Sequence, residues 1–216
     1  QRGPGVIDVA RTNFMPFFGN NNVLPVRRPS DPQFLSPNHI SVSENYFRLF
    51  NIKILAGRGL QDNREEESFF EGQNGDEGKN AGHNIVVNAS MARALGYGPD
   101  QIIGKTFIAG KSQVRVIGVV ADTMTEGTRS PILQTVYVHR KDNLQNIVIR
   151  VAPGRLPEAM DYIARTQRSF IHGVALSRTL LSDTYAKLYQ GDERQGQIFA
   201  IFVGIAIFIA SLGLFG

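Results

Sequence analysis

There is no cysteine among the 216 residues, which excludes thiolate metal sites and disulfide staples while leaving the compartment open. Clustered positive charge is scarce too. The formal charge is +4, but Lys and Arg are scattered, and the only adjacent basic pair before the middle of the chain is Arg27 with Arg28, so the footprint of a nucleic-acid binder is missing. The four histidines, His39, His83, His139 and His172, include no pair at three- or four-residue spacing, which removes the simplest helical metal site. The acidic stretch Asp62 to Glu71 with Asp76 and Glu77 lacks the alternating oxygen ligands of a calcium loop. No nucleophile elbow occurs, and Ser41 beside His39 has no third member. Gly104-Lys105-Thr106 resembles the tail of a phosphate-binding loop, but its first glycine, Gly98, lies one residue too far upstream. Phe107-Ile108-Ala109 then continues as a strand, whereas the cradle needs a helix N-terminus. Catalysis, nucleotide binding and cofactor binding are therefore not expected.

Before the last nineteen positions the chain is mixed globular sequence, long enough to bury a core. Val6 to Asn13 alternates as a strand after a Gly-Pro-Gly turn. Phe14 to Asn38, with five prolines, reads as irregular chain holding an extended piece near Val23 to Val26. Ile40 to Ser43 is a short strand, and Ser43 stands where an N-cap is wanted for a helix carrying Tyr46, Phe47 and Phe50. Ile52 to Leu55 is extended. Gln61 to His83 is acidic, glycine-rich and nearly free of aliphatic residues, the composition of a mobile solvated loop. Asn84 to Asn88 is a strand, followed by a helix from Ala89 to Leu95 that Gly96 stops. Asn88-Ala89-Ser90 also matches a glycosylation sequon, and a strand-to-helix cap explains it equally well. Lys105 to Ala109 and Gln113 to Val120 form a hairpin about Gly110-Lys111, and Gln134 to His139 is a further strand. After Asn146 to Val151 comes a helix with Pro157 in its first turn and Leu156, Met160, Ile163 and Phe170 on one stripe. Val174 to Leu180 reads as a strand, and Leu181, Tyr185 and Leu188 mark an amphipathic stalk helix running on toward Gln197.

Ile198 to Gly216 carries no charge and one hydroxyl, Ser211. As a helix it would cover about 28 Å at about 1.5 Å per residue, close to the roughly 30 Å of a bilayer's hydrocarbon core. A membrane span is expected. Ala200 with Gly204, and Ala206 with Ala210, place small residues at helical neighbour spacing, where a partner helix could approach closely. Gln1 is not Met and no leader precedes Val6, so the chain reads as a piece of a longer protein.

Several stretches share a family likeness. Val114-Arg115-Val116-Ile117-Gly118-Val119-Val120-Ala121-Asp122, then Gly127 and Pro131 to Val138, resembles the VVGVVxD...P..VY pattern of the extracytoplasmic core domain of MacB-type and FtsX-like ABC transporter permeases. Pro4-Gly5-Val6 is similar to that family's opening after its first membrane helix. Val42 to Phe47 with Leu55-Ala56-Gly57-Arg58 resembles its VSxxYF...LAGR segment. Val86-Val87-Asn88 to Leu95-Gly96, with Ile103-Gly104-Lys105, is similar to its VVNExxAxxLG...IGK, departing at Ala89-Ser90 where a Glu is common. Tyr189, Arg194 and the run to Gly216 resemble its entry into the second membrane helix.

The resemblance implies an α+β fold: a ferredoxin-like, porter-like α/β subdomain from residues 1–50 and 142–190, with an inserted β-rich, sabre-like subdomain from 51–141 holding the loop 61–83. A stalk and transmembrane helix follow over 191–216. It implies a non-catalytic permease part on the outer side of the bacterial cytoplasmic membrane. Its partners would be a cytoplasmic ABC ATPase, a second permease copy or paired permease, and a periplasmic adaptor, with no cofactor. ATP-driven movement would reach the domain through the membrane for export or release of substrate. The alternative from the residues alone is a single-span membrane-anchored sensor or binding domain.

Overall fold

The computed structural model describes residues 3–16, 22–62, 83–124, 131–170, 177–184, 186, 202–207 and 209–213. Gln1–Gly173 form one compact unit and Val174–Gly216 a second. The first is a mixed α and β structure, as the sequence predicts. In order it contains β1 (Val6–Thr12), β2 (Val26–Arg27), β3 (Asn38–Ser41), α1 (Tyr46–Leu49), β4 (Ile54–Gly57), β5 (His83–Asn88) and α2 (Ala89–Ala94). There follow β6 (Thr106–Ala109), β7 (Ser112–Val120), β8 (Thr135–Val138), a 3-10 turn at Lys141–Asn143, β9 (Asn146–Val151) and α3 (Leu156–Phe170).

The strands form two sheets. β1 and β9, the first and last, pair antiparallel as a two-stranded ribbon, while the other seven join one sheet in the order β2-β6-β7-β5-β8-β3 with β4 also on β7. β5 runs parallel to β7, with α2 and then β6 between them in sequence, and β3 runs parallel to β8. Parallel neighbours need a crossover rather than a tight turn. β7 is the longest strand, and its two halves use different partners along one edge: Ser112 to Arg115 pair with β6, and Gly118 to Val120 with β4.

One face of the large sheet is covered by α2. Ile85, Val87, Val116, Val119 and Val136 meet Met91, Ala92, Ile102 and Phe107 there, all essentially without solvent contact. Burying an aliphatic side chain of this size contributes about 1.5–3 kcal/mol, so this cluster is a main source of the domain's stability. Alternation along β8 points Tyr137 to the other face, where it meets Phe47 edge-on with ring centres 5.1 Å apart. Burial raises the phenols of both Tyr46 and Tyr137, the latter to about 12, so neither ionises at physiological pH.

Three local readings change. Ser43 does not cap α1: its Oγ accepts from the Arg11 amide at 2.9 Å, tying β1 to the chain after β3, and the helix begins after Asn45 with no side-chain cap. A hydroxyl beside a passing strand edge meets that edge's unpaired donor first. Asn88 is 2 % exposed and bonded on all sides, so the sequon is not available to a glycan and the cap reading holds. In the second unit, 177–180 is irregular and exposed where a strand is expected, and 174–176 lie outside the described residues. Leu181 to Thr184 form a helical turn with Leu181 half-buried, and 202–207 and 209–213 are helical and exposed. Among the described residues no helix is long and apolar enough to cross a membrane. The expected span is thus described only in part. The loop 63–82 also lies outside the described residues.

Candidate functional site

The stretches that carry the family likeness meet at two places. The first is the crossing of β4 and β7. Gly57 pairs with Gly118 across it, and the Arg58 amide donates to the Ile117 carbonyl at 3.0 Å. A Cβ on Gly118 would collide with the Arg58 carbonyl oxygen, and one on Gly57, whose φ is +68°, with the Ile117 carbonyl oxygen. Two main chains cross here without room for a side chain, and only glycine permits that approach. The glycines of the GVV and LAGR stretches are thereby explained by packing.

The second place is the start of α2. Asn88 Oδ1 accepts from the Met91 amide at 3.0 Å, the cap of the helix, and from the Thr135 amide at 3.0 Å, the first residue of β8; its Nδ2 donates to the Leu133 carbonyl at 2.8 Å. One side chain joins the end of β5, α2 and β8. Asp122, just past β7, accepts from the Ser90 amide at 2.8 Å, the Ser90 hydroxyl at 2.9 Å and Arg93 at 2.8 Å. Partial burial is the largest single influence on this carboxyl and pushes it up. The Ser90 amide, Arg93 and the Ser90 hydroxyl together outweigh burial and hold it below the usual carboxylate range. Ser90, where the family often has Glu, is thus a donor to Asp122.

A folded-state value below the unfolded one means that the stability from Asp122 is present above about pH 4, the ordinary carboxylate value. It is lost as pH falls through the depressed native value. Asp122→Asn should cost about 1 kcal/mol at neutral pH, and its gap to wild type should narrow as pH falls below about 4 in urea titrations. A constant gap across that range would remove the ionised cap from the account.

Sequence reasoning missed a third contact. Asp8, 6 % exposed, receives Arg48 Nε at 2.8 Å and Nη2 at 3.1 Å, a two-pronged bond joining β1 to α1, and Arg48 also reaches Asn45 Oδ1 at 2.8 Å. The signal was present in the alternation of β1: Asp8 is in phase with buried Ala10 and Thr12, and a carboxylate on the inward face requires a cation.

Among the described residues the nearest approach to an acid–base arrangement is His139, fully buried, with Nδ1 2.9 Å from the Val42 carbonyl oxygen and 3.5 Å from Asp62 Oδ1. It is sealed from any substrate, so the arrangement is structural. Ser41 is buried and its Oγ has no hydrogen-bond partner among the described residues, so nothing activates it. No group of His, Asp and Glu suited to a metal occurs among the described residues. Of the residues singled out for membrane and stalk contacts, Gly204, Ala206 and Ala210 lie exposed on helical turns and Leu181 is half-buried. Ala200, Tyr185 and Leu188 lie outside the described residues.

Residues 4–165 match the model of the MacB-like periplasmic core domain. No curated protein matches the sequence. Among solved structures, the fold is similar to the periplasmic region of MacB from Actinobacillus actinomycetemcomitans, at 16 % identity, TM-score 0.50, and coverage of 77 % of this chain and 68 % of that one. It is also similar to a domain of a putative permease protein from Porphyromonas gingivalis, at 16 % identity, TM-score 0.52, and coverage of 83 % and 82 %. The arrangement of this first unit, with its motif glycines at a main-chain crossing and Asn88 and Asp122 at one helix start, therefore has a name: the chain belongs to the MacB-like periplasmic core domain family.

Proposed function

We propose that the chain is the extracytoplasmic domain of an ABC transporter permease, held against the outer face of the bacterial cytoplasmic membrane and moved by a cytoplasmic ATPase. The family match over residues 4–165 carries this reading. The uncharged run from residue 198 adds support for a membrane attachment directly after the domain. The domain itself does no bond chemistry. Its role is to pass ATP-driven movement to substrate or to a periplasmic adaptor, with a second permease copy alongside. The division into an α/β part (1–50 and 142–190) and an inserted β-rich part (51–141) is the working frame, with β2 and β3 contributing strands to the large sheet. The residues Leu181, Tyr185 and Leu188 would form the stalk contact, and Ala200, Gly204, Ala206 and Ala210 the close helix contact within the membrane.

Sidedness is tested through the hairpin tip. Lys111 is exposed and these 216 residues hold no cysteine, so Lys111→Cys gives the one thiol of this stretch, read as the labelling gained over the unsubstituted protein. A membrane-impermeant maleimide should label it in cells whose cytoplasmic membrane is intact. Labelling only after that membrane is dissolved would put the domain inside and end the permease reading.

A further inference from the structure

α3 carries two different outward faces. Its buried side is fixed: Ala159 has no solvent contact and its Cβ would lie 3.6 Å from one on Gly5, while the Tyr162 ring covers Gly3. At about 100° per residue, Met160 and Ala164 point about 100° and 140° away from Ala159. Leu156 and Ile163 border them. Leu156 is 37 % exposed, Met160, Ile163 and Ala164 are half-buried, and Phe170 at the helix end is 81 % exposed. The stripe read from the sequence is therefore only partly used by this unit's own core.

Beside the stripe lie Asp161 and Arg168, both exposed and without an ion-pair partner among the described residues, in contrast to Arg155 and Glu158, which satisfy each other. The order along the helix is what matters. Asp161 stands three residues before Ala164 and Arg168 four after it, with exposed Arg165 between them on the same side, so the face carries a negative charge toward one end and a positive charge at nearly equal distance toward the other. That pattern is complementary to itself when reversed. Under a twofold axis perpendicular to the helix the apolar flank of one copy meets that of the other, and each Asp161 meets the second copy's Arg168.

We infer that α3 docks against α3 of a second copy, antiparallel, with the axis near Ala164. This deepens the paired-permease reading by naming the surface, and it rests on the self-complementary order of charge around an incompletely buried apolar stripe. Ala164 sits where two helices must come closest, and a small residue there permits it.

The absence of native cysteine makes the test direct. In the full 216-residue chain in detergent, Ala164→Cys places two thiols next to the axis and should give a disulfide-linked dimer on mild oxidation, while Lys111→Cys should not. Asp161→Arg alone, or Arg168→Asp alone, sets like charges opposite each other twice. Either change turns two exposed attractive pairs into repulsive ones and should weaken the dimer about tenfold by light scattering. The double exchange D161R/R168D should restore it. If Ala164→Cys crosslinks no faster than Lys111→Cys, or the double exchange fails to rescue, this surface is wrong. A chain that still dimerises under those outcomes leaves the paired reading standing with its contact elsewhere, whereas a monomeric chain removes both.

Discussion

Replacing Gly118 with Ala should cost about 3 kcal/mol of stability, out of all proportion to one added methyl group on a strand. The new Cβ has no rotamer by which to escape, and the atom it meets is the main-chain carbonyl oxygen of Arg58, which cannot swing aside without dragging β4 off β7. The Arg58 amide bond to Ile117 would be stretched by the same shift. At a denaturant slope of about 2 kcal/mol per molar, the urea midpoint should fall by about 1.5 M. Gly104→Ala is the control: its φ is +79° but nothing lies within 4 Å of where its Cβ would stand, so only the left-handed backbone conformation is penalised, by about 1 kcal/mol. Equal losses for the two variants would mean that the crossing of main chains is not what Gly118 serves.

That crossing also marks how far the sequence could be read. Alternation placed β1 and β7, and the Gly110-Lys111 turn placed the hairpin, because each signal lies within a few residues. The Asn88 start and Gly96 stop of α2 were legible for the same reason, since caps are local chemistry. What periodicity could not supply is partner choice. Nothing within β5 states that it runs parallel to β7, or that the first strand, β1, closes on the last, β9. The glycines of the LAGR and GVV stretches were recognisable as a likeness, but their reason, two backbones meeting, exists only once β4 lies on β7. Ser43 misled for a related cause: a hydroxyl before a helix looks like a cap until a strand edge, here Arg11, arrives from 32 residues away. Asp8 was the opposite case. Its inward phase in β1 requires a cation, a local signal that the sequence reading passed over, and Arg48 supplies it.

We propose that movement reaches this domain through a stiff connection. Between Leu181 and the apolar run from Ile198 the sequence has Leu181, Tyr185 and Leu188 at helical spacing, and only Gly191 and Gly196 to loosen it. Each glycine weakens a helix by up to about 1 kcal/mol relative to Ala, a bend more than a break. A connection of that kind can bias a two-state element at a distance. A long Gly/Ser linker inserted after Gln190 makes the same stretch a random coil. The measurement is substrate export, or the resistance it confers, in cells whose permease carries that insertion, alongside ATP hydrolysis by the partner and urea unfolding of the domain. Export should be abolished while ATP hydrolysis and the fold of residues 1–190 are retained. Wild-type export with the linker in place would contradict it: the connection would then be a tether, and the domain a membrane-anchored binding module instead of a moving part.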